Sequence, residues 1–107
     1  MPLYLYQASY TPEAIAAQIK NPVDRLEIVG GQLKSSGVRM LAGGISFGNH
    51  DISIVMDAPD DTTMAAVSLT IAAGGSVRNA KTTRLLSGAE YVAALRKASS
   101  VAYQPVK

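Results

Sequence analysis

The chain has 107 residues, 48% of them hydrophobic and 17% charged, the balance of one folded domain and not of a disordered segment. With no cysteine and a single histidine, thiolate metal sites, dithiol redox chemistry and cysteine nucleophiles are all excluded. The formal net charge of +2 is unevenly placed: residues 1–77 hold four basic side chains against seven acidic ones, and residues 78–107 hold six against one.

Leu3 to Tyr10, rich in leucine and tyrosine, reads as a first strand that Thr11-Pro12-Glu13 stops. Thr11 is a cap, and Pro12 sits where a first helical residue has no N–H to lose. A second start signal at Asn21-Pro22-Val23-Asp24 makes the helical stretch 12–36 a kinked or two-piece element, ended by Gly37. Gly30-Gly31 in its middle implies close packing against a flat surface. Val38 to Phe47 is the second strand, where Gly43-Gly44 signals a bulge or a close backbone approach. After the turn Gly48-Asn49-His50, the alternation of Ile52, Ile54 and Met56 with Ser53, Val55 and Asp57 gives a third strand hairpinned to the second. Asp60 or Asp61 caps a helix through Ala73, with Met64, Val67 and Ile71 on its buried face. Val77 to Leu86 is the fourth strand, and Ser87-Gly88-Ala89-Glu90 has the form of a capping box opening a last helix from Gly88 to about Ala98. One domain is expected over residues 1–98, with an irregular tail over 99–107.

No span approaches the ~18 to 20 apolar residues of a membrane helix. The longest candidate, Met64 to Ala73, is interrupted by Ser68 and Thr70, so no membrane partner is expected. The start Met1-Pro2-Leu3-Tyr4 lacks the basic run and cleavage site of a signal peptide, which makes the cytoplasm the expected location. The basic residues of the C-terminal third are spaced out and carry little aromatic surface, so no nucleic-acid partner is expected.

The order strand, helix, strand, strand, helix, strand, helix implies an α+β, ferredoxin-like fold. Its four-stranded antiparallel sheet, order 4-1-3-2, has helices on one face. Strand one is apolar on both parities, Leu3 and Leu5 opposing Tyr4, Tyr6 and Ala8. A single helical layer covers only one of these sets, so a homodimer or higher homo-oligomer is expected.

The hairpin Phe47-Gly48-Asn49-His50-Asp51, followed by Ile52 to Asp61, resembles the small bacterial GYD family, named for a Gly-Tyr-Asp signature at this turn. Tyr4, Tyr10-Thr11, the Ala-Pro-Asp-Asp helix start, Val77-Arg78, Arg84, and Ser87 with Glu90 extend the likeness over most of the chain. It departs at the signature itself, where His50 takes the place of the tyrosine beside Asp51. The resemblance implies a ferredoxin-like fold of the dimeric α+β barrel kind and carries no common reaction.

Candidate site residues follow from chemistry and placement. His50 is the one side chain that ordinarily titrates near neutrality, and Asp51 opens the third strand beside it. The strand order brings Asp51, Ser9 or Tyr10, and Arg78 to one end of the sheet, where they form either a polar site or a sheet-end salt bridge. His50, Asp51 and Arg78 are therefore the catalytic candidates, and Asp51 has a competing structural role as an acceptor that fixes the hairpin. Arg78 and Arg84 share a parity on strand four with Lys81 opposed, charge that protects an edge strand. Tyr4, Tyr6 and Tyr10 share a face of strand one and suit either core packing or the lining of a cavity between two sheets. With Asp51 and Arg78 they are the ligand-binding candidates. No metal site and no cofactor are expected: Met40, Met56 and Met64 read as gap fillers, and a haem would have His50 as its one ligand. The preferred reading is an oligomeric small-molecule-binding or interaction module with a pocket at the sheet face. The alternative is a cofactor-free enzyme for proton transfer or oxygen chemistry, built on His50 and Asp51 in an inter-subunit pocket.

Overall fold

Short polar side chains set the helix starts. The Thr11 hydroxyl accepts from the N–H of Ala14 at 3.2 Å, Asp24 from Glu27 at 3.0 Å, Asp60 from Thr63 at 2.7 Å and Ser87 from Glu90 at 3.1 Å. The structure, a computed structural model, describes residues 1–106. Among them the order is β1 (Leu3–Tyr10), α1 (Pro12–Lys20), α2 (Arg25–Leu33), β2 (Arg39–Ile45), β3 (Ile52–Asp57), α3 (Asp61–Ala73), β4 (Val77–Leu85) and α4 (Gly88–Ala98). The expected two-piece helix is α1 and α2, broken at Asn21–Asp24, with a single 3-10 turn at Lys34–Ser36 before Gly37.

The sheet is antiparallel throughout, in the order β2-β3-β1-β4, which is the ferredoxin-like α+β arrangement. Tyr4, Tyr6 and Ala8 of β1, with Ile52, Ile54 and Met56 of β3, are buried on one face together with Met64 and Val67 of α3. Each large apolar side chain in this layer contributes about 1.5 to 3 kcal/mol by leaving water. Leu26 and Leu33 of α2 and Ile71 of α3 pack at its margin. Gly30 of α2 comes close to the sheet: a Cβ there would stand 3.3 Å from Met40 Sδ.

Two irregularities shape the sheet. At Gly43, φ is +127° and a Cβ would meet Ser53 O at 2.2 Å, so a close backbone approach excludes any side chain. In β4, Asn79 has φ 53°, and three residues from Lys81 to Arg78 face two residues from Gln7 to Ser9. This bulge reverses the alternation. Arg84 pairs in register with Tyr4, on the helix-covered face, whereas Arg78 pairs with Ser9 and Lys81 with Gln7, on the other. The expected shared parity of Arg78 and Arg84 is therefore corrected: Arg78 sides with Lys81.

That other face carries Leu3, Leu5, Gln7, Ser53 and Val55, all half-exposed, flanked in register by Thr83 and Leu85. At its end Arg39 grips the buried Asp57 through two hydrogen bonds. The Arg39 guanidinium holds the Asp57 carboxyl below the usual carboxylate range.

Residues 86–106 are exposed without exception, α4 included. Yet α4 has an apolar stripe, Tyr91, Val92 and Leu95 at helical spacing, continued by Leu86 before it. The radius of gyration is 17.2 Å, and the extents are 57 × 35 × 22 Å. A compact chain of this length has a radius of about 13 Å. The C-terminal helix is an arm projecting from the sheet and its helical layer.

Candidate functional site

Three groups of side chains stand out, and the first is the sheet end around the β2–β3 turn. The Tyr10 N–H donates to Asp51 Oδ2 at 3.1 Å, and the Ser9 hydroxyl donates to the Asn49 carbonyl at 2.8 Å. The Ser46 hydroxyl donates to the His50 carbonyl at 2.6 Å, which closes the turn on itself. Asp51 thus joins the turn to the end of β1, and does not serve N–H groups of its own hairpin. His50 is half-exposed. Ser9, Tyr10, Asn49 and Asp51 come together here, while Arg78 lies across from Ser9, exposed, and makes no ion pair with Asp51 among the described residues.

The second group is a cavity of about 80 Å³ between α2 and the sheet, lined by Tyr6, Tyr10, Leu26, Val29, Ile52, Ile54, Met56 and Ile71 among others, with Arg25 and Ser76 as polar members. Its wall is almost wholly carbon. Tyr6 is 2% exposed, and its hydroxyl is sealed from solvent with no hydrogen-bond partner. Burial pushes the Tyr6 phenol up from its ordinary value, so at neutral pH it is a donor. Burial also raises the Tyr10 phenol, with the Arg25 charge opposing and Asp51 adding. These two rings line the helix-covered face, so a space between two stacked sheets would instead be lined by Leu3, Leu5 and Val55.

Tyr4, on the same face, belongs to a third group at the opposite end of the strand. Its hydroxyl donates to Asp61 Oδ1 at 2.5 Å, and the Arg84 guanidinium stands 5.7 Å from the ring centroid. Arg84 Nη2 donates to Glu90 Oε2 at 3.0 Å, and Glu90 Oε1 accepts from the Ser87 N–H at 2.9 Å. Burial first, then the bond to Asp61, pushes the Tyr4 phenol up to about 12. The Ser87 N–H and then Arg84 hold the Glu90 carboxyl down at about 2. This network clamps the root of α4 to β1, α3 and β4. Asp61, Arg84 and Glu90 were not among the expected site residues, although Arg84, Glu90 and the Ala-Pro-Asp-Asp start carry the family likeness. Arg25 and Val29 have no signal in the sequence, because only folding sets α2 over Tyr6.

Among the described residues no group of three or more His, Cys, Asp or Glu side chains stands close enough to hold a metal ion. No helix among them is long and apolar enough to cross a membrane. The class so defined is a ferredoxin-like α+β domain with one bare sheet face, a small apolar cavity under its helices and a clamped C-terminal arm. A family model for the GYD domain matches residues 4–95, and the chain belongs to that family. No curated protein and no solved structure matches it.

Proposed function

We propose that this GYD-domain protein is a self-associating, small-molecule-binding module. The carrying observation is the arm. An amphipathic helix whose every residue is exposed, rooted by a rigid polar clamp, has an apolar stripe without an apolar neighbour in its own chain. A second copy supplies one. The bare face with Leu3, Leu5 and Val55 is the matching unpartnered surface, and a two-fold exchange buries both sets at once. Charge favours the same pairing, since residues 78–107 are basic and residues 1–77 acidic. Face and arm together offer the extent that a stable interface of about 1,200 to 2,000 Å² requires.

The binding half of this reading is supported by the cavity under α2, which carries an unsatisfied hydroxyl and a carbon wall. The competing reading, a cofactor-free enzyme working through His50 and Asp51, is less well supported, because one Asp51 oxygen is committed to Tyr10. Light scattering after size exclusion tests the assembly. Leu5→Glu on the face and Leu95→Glu on the arm should each shift the protein to a monomer while it stays folded by circular dichroism. An unchanged assembly in both variants contradicts the proposal.

A further inference from the structure

The cavity between α2 and the sheet has a property that packing alone does not account for. A buried hydroxyl without a partner costs about 1 to 3 kcal/mol, and native proteins leave few such groups. Tyr6 is such a group in a cavity wall: phenylalanine would fill the same space without the penalty. Water is a poor remedy, because an ordered water needs two to four polar partners and the surrounding side chains are Leu26, Val29, Ile52, Ile54, Met56 and Ile71. The polar members Arg25 and Ser76 are half-buried and exposed, and so belong to the solvent side.

We propose that this cavity takes an uncharged, largely apolar molecule of about five or six heavy atoms with a single hydrogen-bond-accepting oxygen, which receives the Tyr6 hydroxyl. The inference rests on the binding half of the reading above and is independent of assembly. The size follows from a cavity of about 80 Å³, roughly half of the ~150 Å³ engineered apolar cavity that admits benzene, with an open side to extend into. Neutrality follows from the wall: a charge among those side chains would be stripped of water with no counter-charge at depth. An acceptor is required because the Tyr6 phenol is held protonated at neutral pH by its burial. A small cyclic or branched ketone, aldehyde or ether has this chemistry.

The test uses two isosteric probes, cyclopentanone and methylenecyclopentane, on wild type and Tyr6→Phe, read by NMR shifts of the Ile52, Ile54 and Ile71 methyl groups. In the ligand-free protein Tyr6→Phe should raise Tm by about 4 °C, the opposite of an ordinary lost hydrogen bond. The same substitution should raise the Kd of cyclopentanone about tenfold and leave methylenecyclopentane bound no worse. Ile71→Trp, which fills the cavity, should abolish both signals. Equal cyclopentanone Kd values in wild type and Tyr6→Phe, with the methyl groups still reporting binding, overturn the hydroxyl's role and spare the cavity. If neither probe moves those methyl groups at millimolar concentration, the binding half of the proposed function falls as well.

Discussion

Tyr4 and Asp61, 57 positions apart in sequence, are joined by a hydrogen bond of 2.5 Å between the first strand and the first turn of α3. Asp61 is mostly exposed, so the bond is anchored from the tyrosine side, whose ring is buried. The same ring lies beneath Arg84, which carries the connection on to Glu90 and the arm.

The Tyr4 phenol gives an alkaline signature. Its folded value is raised to about 12 from 10.0, so the stability it contributes is complete below pH 10 and is lost as pH rises towards 12. Absorbance titration of tyrosinate should show Tyr4 ionising about two pH units above a free phenol, and Asp61→Asn should bring it down. Tyr4→Phe should cost about 1 kcal/mol in urea unfolding, the modest value reflecting Asp61's contact with water.

Glu90 gives the acid counterpart. Its carboxyl is lowered from 4.5 to about 2, so its contribution is full above pH 4.5 and fades as pH falls through about 2. The α4 N-terminus should therefore fray first on acidification, seen as early loss of amide protection at Tyr91 and Val92. Ser87→Ala should cost the arm about 1 kcal/mol at neutral pH.

Gly43 and Gly44 should behave oppositely despite their adjacency. Gly43→Ala drives a methyl into Ser53 O at a backbone angle that side chains avoid, and should cost about 3 kcal/mol or prevent folding. A Cβ at Gly44 meets nothing within 4 Å, so Gly44→Ala should change stability by less than about 1 kcal/mol. Thermal unfolding of the pair checks this.

At the turn, Asp51→Ala leaves the Tyr10 N–H without its acceptor and should cost about 1 to 3 kcal/mol, with Asp51→Asn milder. His50→Tyr should be tolerated within about 1 kcal/mol, since the bond to Ser46 uses the His50 carbonyl and not its ring. Chemical unfolding of the three variants tests the ranking.

The elements were legible because local chemistry marks them: Thr11 with Pro12, Asp24, Asp60 and the Ser87–Glu90 pair are caps whose bonds are local. Strand order followed from connectivity, and the paired glycines of β2 announced the close approach at Gly43. What stayed hidden depended on conformation at single residues or on what packs over what. Asn79 turns β4 over with one left-handed backbone angle, which no pattern of side chains announces, so Arg78 and Arg84 part company. The apolar stripe of α4 marks a face to be covered without saying by whom. Tyr6 and Tyr10 were legible as a pair on one face of strand one, but their shared cavity required α2 to be laid across them.

The central claim is that the bare sheet face and the arm are covered by a second copy. Sedimentation equilibrium of the full chain at micromolar concentration tests it most directly. The account predicts a species of at least twice the 11.2 kDa chain mass, resistant to dilution and shifted to the monomer by Leu95→Glu. A stable, well-folded monomer of 11.2 kDa at the same concentrations contradicts it.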